Sequence, residues 1–168
     1  MSTGTSQWPP FEVTSLRSNL VGLRGLARDD ERQLEPEIRA WLARMLVVRS
    51  AGFIEQTVSE CCRQHIRERS GGWVRAFAHS WVERSKNPSA DNLLQLLGRF
   101  DQSLSDEFEA FISEDDELIR RELGFMVDRR NKIAHGLNEG LNSERAVALS
   151  EVAEKVADWF VLKLNPLR

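Results

Sequence analysis

The sequence predicts an all-α fold, a bundle of four main helices with short inserted helices. Three observations carry that prediction. Apolar residues recur at spacings of three and four along most of the chain, the repeat of one helix face, and no stretch shows the alternation of a half-buried strand. The breaks between these stripes carry helix punctuation, at Pro36, Asn87-Pro88, Ser113, Gly136 and Ser143. The length of 168 residues, with 41% hydrophobic and 29% charged side chains, suits one ordinary globular domain.

Taken in order, Ser, Thr, Gly and Pro dominate the start, so residues 1–10 read as a flexible lead and 11–168 as a single domain. Val13, Leu16, Leu20, Leu23 and Ala27 place a first helix from Phe11, weakened by Gly22 and Gly25. Pro36 suits the first position of a long second helix. Its stripe Leu34, Ile38, Trp41, Met45, Val48, Gly52, Glu55, Ser59, Cys62 and Ile66 ends at Gly71-Gly72. Roughly thirty residues at ~1.5 Å each make it about 45 Å long, the spine of the fold, with Gly52 as the place for a bend. Shorter helices are expected at about 73–85, 90–99 and 103–112, the middle one capped by Ser89 or Asp91. Ser113, followed three residues later by Asp116, resembles a capping box, and the acids Glu114 to Glu117 suit the positive end of a helix dipole. The helix that starts there runs to about His135 and stops at Gly136. Ser143 opens the last helix, on the stripe Ala146, Leu149, Ala153, Val156, Phe160 and Leu164.

Charge is unevenly spread. Residues 39–86 carry nine Lys or Arg against four Asp or Glu, net +5, whereas residues 101–122 carry nine acids against Arg120 and Arg121. The net charge of −3 excludes a generally cationic coat for nucleic acid but not a local basic groove. A solvated face is the commoner role of such a basic stretch. Cys61 and Cys62 are adjacent in a helical pattern, where a mutual disulfide is badly strained, and no Cys or His spacing suggests a metal site. A reducing cytoplasm is the expected setting. Met1 to Pro10 lacks the apolar core of a signal peptide and no run is apolar enough to span a bilayer, so no membrane association is expected.

One segment concentrates the chemistry. On the helix ending near His135, Ile119, Leu123, Met126, Arg130, Ile133 and Leu137 follow one another at four, three, four, three and four, so Arg130 breaks an apolar seam. A guanidinium buried without a partner costs several kcal/mol. The spine helix carries an acid in the matching position, Glu55, and the expected pair is Glu55 with Arg130. Asn131 and His135 are four apart on one face, and Arg130 can reach round from the neighbouring edge, so the three can converge on one ligand. His135 lies in the last turn, where the negative end of the helix dipole favours a positive charge. Taken singly, these residues are ordinary: a histidine before a C-terminal glycine often only covers free carbonyls, and a lone arginine usually makes a structural ion pair. Their conjunction within a turn and a half is what points to a site. His65, His79 and the aromatic residues Trp41, Trp73, Trp81, Trp159 and Phe160 are assigned to no site, the aromatics being expected in the core or a dimer seam.

The run Arg130-Asn131-Lys132-Ile133-Ala134-His135-Gly136 resembles the signature of the HEPN superfamily, in which an arginine, commonly followed by a polar residue, precedes a histidine on a core helix. The form here, between an acidic helix start and a final amphipathic helix, is most similar to the RiboL-PSP-HEPN-like branch. The resemblance implies a HEPN-like helical bundle and catalytic roles for Arg130, Asn131 and His135, with no cofactor and no metal; Glu55 is the supporting residue that the helix pattern itself places beside Arg130. It implies a metal-independent endoribonuclease, active as a homodimer on RNA, with the 2′-hydroxyl attacking to leave a 2′,3′-cyclic phosphate. A toxin or defence effector, held by an antitoxin or another regulatory protein, fits that activity. The superfamily also includes non-catalytic modules that bind a partner protein or nucleotide, and a structural helical homodimer is the third reading.

Overall fold

The computed structural model describes residues 7–28, 34–82, 87–137 and 140–167. Among these, seven helices follow one another without a strand: α1 (Phe11–Arg28), α2 (Pro36–Arg69), α3 (Gly72–Val82), α4 (Ala90–Phe100), α5 (Gln102–Ile112), α6 (Glu114–Ala134) and α7 (Ser143–Lys163). The long helices α1, α2, α6 and α7 form the bundle, and α3 to α5 are the inserted ones. None of the helices is long and apolar enough to cross a membrane.

The 34 residues of α2 extend for about 51 Å at ~1.5 Å each, and α1, α3, α6 and α7 all pack against it. It is one continuous element through Gly52. The stripe that the sequence suggests for its buried face is only half correct. Cys62 and Ile66 are buried, but Ile38, Trp41 and Met45 are exposed. The face that is buried instead runs through Ala43, Leu46, Val47, Ser50, Ala51, Ile54, Thr57, Val58 and Cys61. Small residues decide the matter. Ala43, Ser50 and Ala51 on α2 are matched by Ala146, Ser150, Ala153 and Ala157 on α7, all buried, and small side chains on both partners let two helix backbones approach closely. The larger apolar residues on the other side of α2 share the helical spacing of a core face, which periodicity alone does not distinguish from the face that meets α7.

The last stripe holds throughout: Ala146, Leu149, Ala153, Val156, Phe160 and Leu164 are all fully buried. Asn142 is the residue that caps α7, accepting a hydrogen bond from Arg145 N (2.8 Å), and Ser143 is the first helical position. Ser89 caps α4 by accepting from Asn92 N. An aromatic cluster joins α5 to α7, with the ring of Phe108 4.8 Å from Trp159 and 5.3 Å from Phe160. Arg17 and Arg24 of α1 pair with Glu154 of α7, and Arg28 with Glu151, so charged pairs line the α1–α7 seam. Cys61 and Cys62 are free and buried; burial pushes the Cys61 thiol up to about 12 and Cys62 higher still.

Two local expectations need correcting. The Ser113–Asp116 capping box does not form. Ser113 has helical dihedrals because it also closes α5, and its Oγ donates back to a Glu109 carboxylate oxygen (3.4 Å). Asp115, Asp116 and Glu117 then turn left-handed, at φ of 50°, 55° and 59°, so regular α6 begins at Leu118. The second correction concerns residues 7–10, which are not a free lead. Trp8 Nε1 donates to Val161 O (2.9 Å) and Pro10 is buried, so the chain meets the body before Phe11. Residues 1–6, and the 83–85 end expected for the third helix, lie outside the described residues.

Candidate active site

The seam on α6 is apolar where the sequence places it: Leu123 and Met126 are fully buried, and Ile119 and Ile133 pack against the core at its edge. Leu137, beyond the helix end, is exposed. Arg130, one turn past Met126, therefore lies where the core gives way to solvent, with 38% of its side chain accessible. Its Nη2 is 3.8 Å from Glu55 Oε2, the acid expected opposite it on α2. Its Nη1 donates to Asn131 Oδ1 at 3.3 Å. Arg130 thus reaches both Glu55 and Asn131.

His135 is held by the backbone and not by these side chains. Its N–H donates to Asn131 O and Lys132 O (3.1 Å each). Gly136 N donates to Ile133 O and Leu137 N to Lys132 O, both at 3.0 Å, the paired bonds of a Schellman cap. This cap needs a left-handed residue, and Gly136 supplies it at φ +75° without the steric cost a Cβ brings. The cap fixes His135 at the helix end with its ring exposed and without a hydrogen-bond partner among the described residues. Asn131 and His135, one turn apart, both face solvent. The Arg129 guanidinium lies over the Phe125 ring, 4.7 Å from the centroid, while Lys132 pairs with Asp128 at 3.2 Å.

Arg130 also lines a groove between α1 and α2, about 910 Å³ in volume, with Leu16, Asn19, Met45, Val48, Arg49, Gly52 and Gln56 among its other walls. Sequence reading misses this site but holds its signal. Met45, Val48 and Gly52, from the part of the expected stripe that does not meet the core, line the groove, and Glu55 of the same stripe stands beside it with Arg130. An apolar stripe opposite a face of small residues marks a helix with two apolar sides, of which only one can meet α7. His65 is structural: its Nδ1 is 3.0 Å from Leu164 O and its ring meets Phe100 edge-on. Trp159 and Phe160 belong to the core, whereas Trp73 is 94% exposed. Among the described residues no cluster of His, Cys, Asp or Glu could hold a metal ion.

This site chemistry combines a guanidinium fork, an amide and an exposed imidazole at one helix end, beside a groove. The fork suits phosphate oxygens, and the imidazole offers ring nitrogens that can donate or accept a hydrogen bond. Comparison with curated proteins and with solved structures gives no match. The RiboL-PSP-HEPN family matches residues 16–165, from the middle of α1 to just past the end of α7. The chain belongs to the RiboL-PSP-HEPN family, and hence to the HEPN superfamily of helical domains.

Proposed function

We propose that this chain is a metal-independent endoribonuclease that uses Arg130, Asn131 and His135. The observation that carries the reading is the arrangement at the end of α6: Arg130 bonded to Asn131 at the mouth of a groove, and His135 one turn on with an exposed, unpartnered ring. RNA brings its own nucleophile, so the protein needs only proton transfer and charge stabilisation. The 2′-hydroxyl attacks the adjacent phosphorus, the bond to the 5′-oxygen breaks, and a 2′,3′-cyclic phosphate remains. Arg130 stabilises the charge gathered on the non-bridging oxygens. Asn131 orients the phosphate or the histidine. His135 moves a proton from the 2′-oxygen or to the leaving 5′-oxygen. One histidine cannot do both in a single step, and a two-fold homodimer brings a second His135 to the same cleft. The cellular role in this reading is that of a toxin or defence effector kept in check by a protein partner.

The test is incubation of the purified protein with mixed RNA in EDTA, beside Arg130→Ala and His135→Ala. Cleavage to 2′,3′-cyclic ends is expected from the wild type, with a loss of at least ~100-fold in either variant. An inactive wild type, or variants as active as it, sinks the nuclease reading. One observation favours a second reading, a non-catalytic module for a nucleotide or protein: Glu55 beside Arg130 satisfies the arginine without any ligand. Light scattering bears on both, because a strict monomer leaves each site with one histidine.

A further inference from the structure

The groove beside Arg130 has an unusual lining. Its charged walls are Arg49 and Arg130; Glu55 stands beside the groove and pairs with Arg130, whereas Arg49 faces no acid among the lining residues. Arg49 is exposed and has no ion pair or hydrogen bond among the described residues, and the amides of Asn19 and Gln56 are equally without partners. The floor is apolar, from Leu16, Leu20, Met45, Val48 and Phe53. Two cations over an apolar floor, edged by free amides, fit a ligand that is anionic along one side, flat and apolar along another, and rimmed by hydrogen-bonding groups. A nucleotide has those three properties. The groove volume of about 910 Å³ lies at the upper end of the ~300–1,000 Å³ usual for ligand pockets, ample for one nucleotide and part of the next.

We propose that this α1–α2 groove is the path of the RNA strand next to the scissile phosphate, with Arg49 holding a neighbouring phosphate and the base lying on Met45 and Val48. The proposal rests on the reading of Arg130 as the residue at the scissile phosphate. Arg49 stands six residues before Glu55 on the same helix, about 9 Å along its axis at ~1.5 Å per residue, so the strand runs from the motif toward the start of α2. Gln56 and Asn19 face the base edges, where amides select between donors and acceptors. A second copy of the chain is the other occupant to test, and self-association read beside RNA affinity separates the two.

The experiment measures binding of a short single-stranded 2′-O-methyl RNA, which cannot be cleaved because its 2′-oxygen is blocked. Fluorescence anisotropy is read across a salt series for the wild type, Arg49→Ala, Gly52→Met and Arg67→Ala. Arg49→Ala removes the charge, and Gly52→Met fills the groove from a position where an added Cβ meets nothing within 4 Å. Arg67→Ala is the control, removing the same charge about 27 Å further along α2 at ~1.5 Å per residue. Expected are about tenfold weaker binding for Arg49→Ala, a salt slope lower by about 0.7, and a comparable loss for Gly52→Met without the slope change. Arg67→Ala stays within about twofold of the wild type. No binding by the wild type, equal losses in Arg49→Ala and Arg67→Ala, or an effect of Arg49→Ala on self-association in place of RNA affinity, overturns the groove. Binding as expected together with no cleavage of ordinary RNA overturns the nuclease reading and leaves the groove standing. Cleavage with unchanged Arg49→Ala binding does the reverse.

Discussion

Arg130 stands between two partners, an acid of its own chain and any phosphate that enters the groove. Both Arg130 and Glu55 keep part of their surface in water, so their ion pair is worth little, under ~1 kcal/mol. Glu55→Gln is therefore expected to shift urea-unfolding stability by less than ~1 kcal/mol, and to tighten RNA binding by removing a competing charge. A loss of several kcal/mol would instead make the pair a structural device and favour the non-catalytic reading. The pair was legible in the sequence because each member interrupts an apolar stripe at helical spacing. Arg49 was not. An arginine on a solvated helix face looks like any other in sequence, and what sets this one apart is the passage of α1 beside α2, a fact of tertiary packing. His135 is intermediate: the glycine after it announced the helix end, but an exposed ring and a carbonyl-capping ring give the same letters.

At the scale of the element, the start of α6 separates pattern from geometry. A serine three residues ahead of an acid reads as a cap, yet a cap requires an extended residue, and Ser113 is still part of the closing turn of α5. Asp115, Asp116 and Glu117 are left-handed, a conformation costing roughly 1–2 kcal/mol for a residue with a side chain. Glu117→Gly should therefore stabilise the protein, by up to ~1 kcal/mol, whereas Arg121→Gly four residues later, in regular helix, should destabilise it by about as much. Thermal unfolding of the two variants decides this, and a loss in both would mean that the turn is not left-handed in solution. Most other boundaries were legible to within a residue or two, because proline, glycine and capping side chains act locally.

For the whole molecule, the helical class and the order of the elements followed from periodicity, but the burial of α2 did not. Which side of a long helix faces inward depends on which neighbour comes closest, and here the alanines and serines of α2 and α7 settle it. The α5–α7 ring cluster is the other large contribution to the core. Phe108→Ala leaves a cavity among Phe111, Trp159 and Phe160, with an expected loss of about 3–5 kcal/mol, a large part of the ~5–15 kcal/mol typical of a domain. Denaturant titration followed by tryptophan emission measures it, and a loss below ~1 kcal/mol would show the cluster to be loosely packed. The bond from Trp8 to Val161 bears on the order of folding events. It joins positions 153 apart, and closing so long a loop in an open chain costs about 4 kcal/mol of entropy, far more than one hydrogen bond returns. Once α1 lies on α7, only a few residues remain to be closed, so this contact is expected to form after the folding barrier. Trp8→Phe should then leave the refolding rate unchanged and speed unfolding in stopped-flow measurements, making the start of the chain a latch that sets how long the native state lasts without affecting how fast it is reached.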